Sequence, residues 1–164
     1  MADEASRRKF IRNMAAASAA VGTAVGCQHS VAQQAGHVRG FDHVALPMEN
    51  TDAMLAFYRA LGCDVVERDT ACSVYFGDNM INFHRPARWR DRTFTNRAPA
   101  AVPPCGDLCF VWEGTAESLK VMLDHAGAKV ELGPVAREGG RRKTGSSVYV
   151  RDPDGNLLEF MIYA

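Results

Sequence analysis

Two stretches of the chain carry the same spacing of apolar and polar positions. In residues 51–62, TDAMLAFYRALG, the apolar Met54, Leu55, Tyr58 and Leu61 recur at helical intervals and Gly62 supplies a stop. In residues 115–127, TAESLKVMLDHAG, the stripe is Leu119, Met122, Leu123 and Ala126, with Gly127 as the stop. A short strand-like run precedes each helix, FDHVALPM in one case and GDLCFVWE in the other. Three more runs follow: DVVERD, CSVYFG and NMINFHR in the first half, AKVELGPVARE, SSVYVRD and NLLEFMIY in the second. SVYFGDNMINF (73–83) lies alongside SVYVRDPDGNLLEF (147–160), the difference being the turn Asp152-Pro153-Asp154-Gly155. From Gly40 onward the pattern β-α-β-β-β is written twice.

One such module leaves a face of its sheet bare, because a single helix covers only the other. Two modules predict an α+β fold, with a cupped mixed sheet, helices outside and a cleft within. The modules run over 40–85 and 106–164, and an Arg- and Pro-rich linker, 86–105, joins them as a cover or arm. A length of 164 residues suits one domain, assigned to 36–164. Zero net charge gives no global attraction for nucleic acid or an anionic membrane, so neither is an expected partner.

Residues 1–35 read as an export signal and linker. SRRKFIRNM pairs Arg7 with Arg8 ahead of Phe10 and Ile11, and an uncharged run of small residues follows. The pattern resembles a twin-arginine signal, which implies a periplasmic protein exported already folded. Met14 to Gly26 is short of the about 20 apolar residues a lasting span requires. Ser30-Val31-Ala32 fits a cleavage site, and Ala24-Val25-Gly26-Cys27 is a looser lipoprotein-type alternative. The alternative is a disordered, Ala-rich tail on a cytoplasmic protein. Of five cysteines, Cys63 and Cys72 could meet as a disulfide in an oxidising compartment, while inert buried thiols are the simpler assignment for most.

Strand parity nominates the chemistry. Along 41–47, His43, Ala45 and Pro47 share one face, and Asp107 holds the matching place in the second half. Asn82 and His84 share a face of the last first-half strand; Glu159 aligns with Asn82 in the second half. His43, His84, Asp107 and Glu159 form a nitrogen and oxygen set suited to one divalent ion, Fe, Mn, Ni, Co or Zn. His84 reads equally as ligand, proton-transfer group or rim residue, and Asp107 as ligand or partner for the linker arginines. Asn82 suits hydrogen bonding to substrate or water. A mobile Gly139-Gly140 loop carrying Arg141 could close on an anionic substrate, although charge runs are commonly just solvated surface.

FDHVALPMENTDAMLAFYRALG, GDLCFVWEGTAESLKVMLDHAGAKVELGP and above all VYVRDPDGNLLEF resemble the vicinal oxygen chelate superfamily of glyoxalases, bleomycin resistance proteins and extradiol dioxygenases. INFH, DLCF and SVYVRDPDGNLLEF resemble its small glyoxalase domain-containing or virulence-associated branch. The resemblance implies metal ligands at His43 and Glu159. Asp107 stands where the family usually has His, and Asn82 where glyoxalase I has Glu. It further implies glyoxalase-like lyase or isomerase chemistry on a small oxygen-rich substrate, with Glu159 and His84 as the catalytic groups. An Fe(II) extradiol-type dioxygenase and a metal-free binding or resistance protein are the alternatives. A homodimer is expected by analogy, since modules of this family also pair between chains.

Overall fold

The structure is a computed structural model that describes residues 36–164, of which Arg39–Ala164 form one compact unit. The export signal and Cys27 lie outside the described residues. The first module runs β1 (His43–Pro47), α1 (Thr51–Ala60), β2 (Asp64–Glu67), β3 (Ala71–Phe76) and β4 (Asn79–His84). A short helix, α2 (Pro86–Trp89), begins the linker. The second module runs β5 (Asp107–Val111), α3 (Ala116–His125), β6 (Leu132–Glu138), β7 (Thr144–Arg151) and β8 (Leu157–Ile162). Among the described residues no helix is long and apolar enough to cross a membrane.

Each module closes its own four-stranded mixed sheet, in the orders β1-β4-β3-β2 and β5-β8-β7-β6. The first strand of each module pairs in parallel with the last, and the other pairings are antiparallel. The fold is α+β, as the twice-written pattern implies. β1 and β5 are both edge strands.

Helix α1 forms because its apolar residues fall on one side, where Met54, Leu55, Phe57 and Tyr58 are buried. Asp52 in its first turn and Arg59 in its last suit the helix dipole. Helix α3 buries Leu119 and Leu123, and the Thr115 side chain caps it by accepting from Ser118 N at 3.2 Å. Gly62 (φ +81°) and Gly127 (φ +68°) end the two helices in the left-handed region, where a Cβ is disfavoured. Strand β6 begins at Leu132, four residues later than the AKVEL run suggests. Its pairing with β7 shifts register between Leu132 and Val135, where Pro134 offers no N–H. Cys63 and Cys72 are free thiols, Cys72 fully buried and Cys63 half-buried.

The two modules share one hydrophobic core, in which Leu46, Met54, Tyr58 and Phe83 of the first join Leu119, Val148, Leu158 and Phe160 of the second. Phe76 meets Phe110 edge-on across the seam at 5.0 Å, and Phe110 stacks on Phe160 at 5.6 Å. The polar fastening is the turn after β7. Asp154 accepts from Glu49 N at 2.7 Å and from Asn50 N and Nδ2 at 2.8 and 2.9 Å. Asp152, 4% exposed, accepts from Tyr58 Oη at 3.1 Å and from Asn156 N and Nδ2 at 2.9 and 2.8 Å. Asn156 Oδ1 in turn accepts from Cys105 N and Gly106 N at 3.0 and 2.8 Å. Burial pushes the Asp152 carboxyl above its usual range, outweighing the hydrogen bonds that lower it.

Asp154→Ala removes three charge-assisted bonds and frees two backbone N–H groups. Because Glu49 and Asn50 are exposed and water can take over their N–H groups, urea unfolding should register a loss of about 1–2 kcal/mol. Tyr58→Phe, which removes one bond to Asp152, should cost about 1 kcal/mol. Losses under about 0.5 kcal/mol for both Asp154→Ala and Tyr58→Phe would mean that the seam is held by the apolar core alone.

Candidate functional site

Strand pairing decides which side chains share each open sheet face. In the first sheet His43 sits opposite Met80, Ala45 opposite Asn82 and Pro47 opposite His84, with Ser73 beyond Asn82 and Tyr75 beyond Met80. The alternate residues, among them Leu46, Cys72, Val74, Ile81 and Phe83, belong to the core. In the second sheet Asp107 lies opposite Leu157, Cys109 opposite Glu159 and Val111 opposite Met161, with Tyr149 beyond Glu159 and Ser147 beyond Met161. Leu158, Phe160, Val148 and Val150 go to the core. His43, Asn82 and His84 thus share one face, and Asp107 and Glu159 share the other.

Within those faces the environments differ sharply. His43 is about half exposed, with Nδ1 2.5 Å from Asp42 Oδ1, which orients the ring. Asp107 is exposed on the edge strand β5. Glu159 is half-buried and its Oε1 accepts from Ser147 Oγ, whose residue is fully buried. His84 is half-buried beneath the linker, its ring edge-on to Phe94 at 5.1 Å. Burial first, then the cations Arg88 and Arg97, hold its imidazole below the ordinary histidine value. Arg141 stands 5.0 Å over the Tyr163 ring. It also borders a cleft of about 650 Å³ at the seam, walled by Tyr75, Phe76, Phe110 and Trp112.

One residue of this face carries no assignment from the sequence. Cys109 is exposed and shares its face with Asp107 and Glu159. Burial of its thiol group, then the Glu159 carboxylate, then Asp107, push its pKa up to about 11. It therefore stays a protonated thiol at neutral pH, a weak donor toward Glu159 rather than a nucleophile. The signal was available: in GDLCF, Cys109 is two residues past Asp107 and so has the same parity.

The nitrogen and oxygen chemistry of the donors fits a divalent ion, but the geometry of one chain does not close around it. Among the described residues no three His, Cys, Asp or Glu side chains gather closely enough to hold a metal ion. One chain offers His43 from its first module and Asp107 and Glu159 from its second, on separate sheets.

Two βαβββ modules with donors on their open faces define the class of protein, and comparison places the chain within it. Residues 40–160 match the Glyoxalase/Bleomycin resistance protein/Dioxygenase superfamily, and the chain belongs to that family. It is 34% identical over 127 residues to the glyoxalase domain-containing protein RDO1 of Mycosarcoma maydis, covering 77% of this chain and 69% of that protein. It is 32% identical over 124 residues to virulence protein STM3117 of Salmonella typhimurium, covering 74% and 83%. The crystal structure of STM3117 superposes with a TM-score of 0.68 over 79% of this chain and 100% of that one, at 29% identity. A Vibrio cholerae integron cassette protein superposes with a TM-score of 0.69 at 27% identity, covering 79% of this chain and 99% of that one.

If Glu159 raises the Cys109 pKa, Glu159→Gln lowers it by deleting that charge and leaving burial to act. Alkylation by iodoacetamide, mapped to Cys109 by mass spectrometry, should keep accelerating past pH 10 in the native chain. In Glu159→Gln its inflection should move down toward the ordinary thiol value of about 8.5. Identical profiles would separate the thiol from the carboxylate.

Proposed function

We propose that the chain acts as a divalent-metal vicinal oxygen chelate enzyme whose site is completed by a second copy. The observation that carries this is the position of the donors. His43 and Asp107 lie on β1 and β5, the edge strands of their sheets, and both are exposed. An edge strand has unpaired backbone groups and invites a partner. Pairing β1 of one copy with β5 of the other brings His43 of one chain toward Asp107 and Glu159 of its partner. This reading takes from the family resemblance a glyoxalase-like lyase or isomerase chemistry on a small oxygen-rich substrate.

An ion held by His43, Asp107 and Glu159 would supply Lewis acidity toward a carbonyl or diol. The chain's own groups would do the rest. Ser147 fixes one oxygen of Glu159, and the other would either hold the ion or, on detaching from it, take or return a substrate proton. Cys109, a protonated thiol beside it, would offer that carboxylate a weak S–H donor. Tyr149 flanks Glu159, and its hydroxyl accepts from Arg137 Nε at 3.2 Å, which puts a cation at the rim. Asn82 is placed to hydrogen-bond a substrate oxygen on the opposite module. The sequence signal supports export to the periplasm as part of this reading.

A metal-free small-molecule binder is the second reading, favoured by the aromatic-walled cleft of about 650 Å³ with Arg141 at its border. Elemental analysis with size-exclusion chromatography of the full chain separates the two. The enzyme reading predicts a dimer with about one divalent ion per chain. His43→Ala and Glu159→Ala should each lose the ion and remain folded. Iron as the ion, with oxygen uptake on a catechol, would turn the chemistry to a dioxygenase. A folded chain with no ion above background would leave the binder.

A further inference from the structure

The linker does more than join the modules. Its start packs back onto the loop after β1, where Trp89 Nε1 donates to Met48 O at 2.8 Å and Arg90 ion-pairs with Glu49. Further on, Phe94 lies edge-on to His84, and the Arg88 guanidinium stacks 3.8 Å over the Phe94 ring. Beneath this roof is a cavity of about 50 Å³, walled by Ala45 and Pro47 of β1, His84 of β4, and Trp89, Asn96 and Arg97 of the linker. A water takes roughly 10–15 Å³ on this kind of measure, so the space suits a few waters or one carboxylate-sized group.

The polar side chains around the cavity can each present an N–H donor to it. His84 offers a ring N–H, Asn96 a side-chain amide and Arg97 a guanidinium, and no residue lining the cavity is acidic. Among the described residues the Arg97 side chain makes a single hydrogen bond, from Nη1 to Ala101 O at 3.3 Å. Arg88, on the same roof, adds a second positive charge. Donors and cations without a counter-charge, in a pocket partly shielded from water, favour an anion.

Its place on the sheet gives the cavity a role. Ala45, Pro47 and His84 share the open face that also carries His43 and Asn82. Successive same-face residues on a strand are roughly 6.5–7 Å apart, so Asn82 and His84 stand about one small molecule's length from each other. We propose that this roofed cavity is a carboxylate subsite, and that the substrate is a small organic acid. Its carboxylate is held between Arg97, Asn96 and His84, and its pair of oxygens points back toward Asn82 and His43. Only that second part, the direction of the oxygen pair, rests on the function proposed above. In this arrangement His84 binds substrate rather than metal, and the linker is a specificity element.

The test uses formate as the bare carboxylate, with the full chain stripped of metal by a chelator. Nitrogen–proton spectra follow the Trp89 indole and the Arg97 Nε–H at fixed ionic strength. Formate should move both signals saturably, while formamide of the same shape and chloride of the same charge should not. Arg97→Gln should raise the half-saturating formate concentration at least tenfold. Ala45→Leu, which fills the floor and leaves the cations alone, should abolish the response. Equal responses to formamide or chloride would overturn the subsite, as would native-like formate binding in both variants. Because no ion is present, formate binding in a chain that never holds metal would retain the subsite and reject only the metal reading.

Discussion

Among the described residues, the hydrogen bonds that tie one module to the other come from the five residues after β7. Asp152, Asp154 and Asn156 each spend their side-chain oxygens on a different distant segment: Tyr58 of α1, the backbone at Glu49 and Asn50, and the backbone at Cys105 and Gly106. Apolar contact across the seam is non-directional and would tolerate sliding. Hydrogen bonds from side-chain oxygens to fixed backbone N–H groups do not, since a shift of an ångström breaks them. The approach is close enough that a Cβ at Gly106 would stand 3.1 Å from both Asn156 Oδ1 and Leu46 Cδ1. The turn is therefore the register mark of the whole fold.

That fastening has a consequence for the chemistry. The seam uses α1, the β1–α1 loop, the β3–β4 hairpin and inward residues of β1 and β5 such as Leu46 and Phe110, while β1 and β5 each keep one side unpaired at the end of their own sheet. The donors His43 and Asp107 ride on those edges. A chain so joined has a shared core but divided donors, which is why its geometry points to a second copy. The linker acts on the same face from the other end, by roofing His84 and setting it beside Arg97 rather than beside Glu159.

Much of the architecture was legible because strand and helix periods are local. The stripes at Met54-Leu55-Tyr58 and Leu119-Leu123 mark the buried helix faces, and period two alone assigns His43, Asn82 and Glu159 to open faces. What was not legible depends on partners far apart in the chain. DPDGN reads as a turn, yet nothing near it says that Asp154 will meet Asn50, 104 positions away. The delayed start of β6 depends on the register shift beside Pro134, which only its pairing with β7 displays. Cys109 shares parity with Asp107, which places it on the site's face, but its contact with Glu159 depends on the pairing of β5 with β8. His84 shares parity with Asn82, but only the folded linker places it between Phe94 and Arg97.

The central claim, that two copies build each site from opposite modules, is tested most directly by mixing variants. His43→Ala chains and Glu159→Ala chains are each expected to bind no metal as homodimers. Refolded together in equal amounts, their mixed dimers contain one site with His43 from one chain and Glu159 from the other, both intact. Metal should then return to one of the two sites in each mixed dimer. A mixture that binds no more ion than its separate components, with mixed dimers confirmed by mass spectrometry, would contradict a site shared between chains.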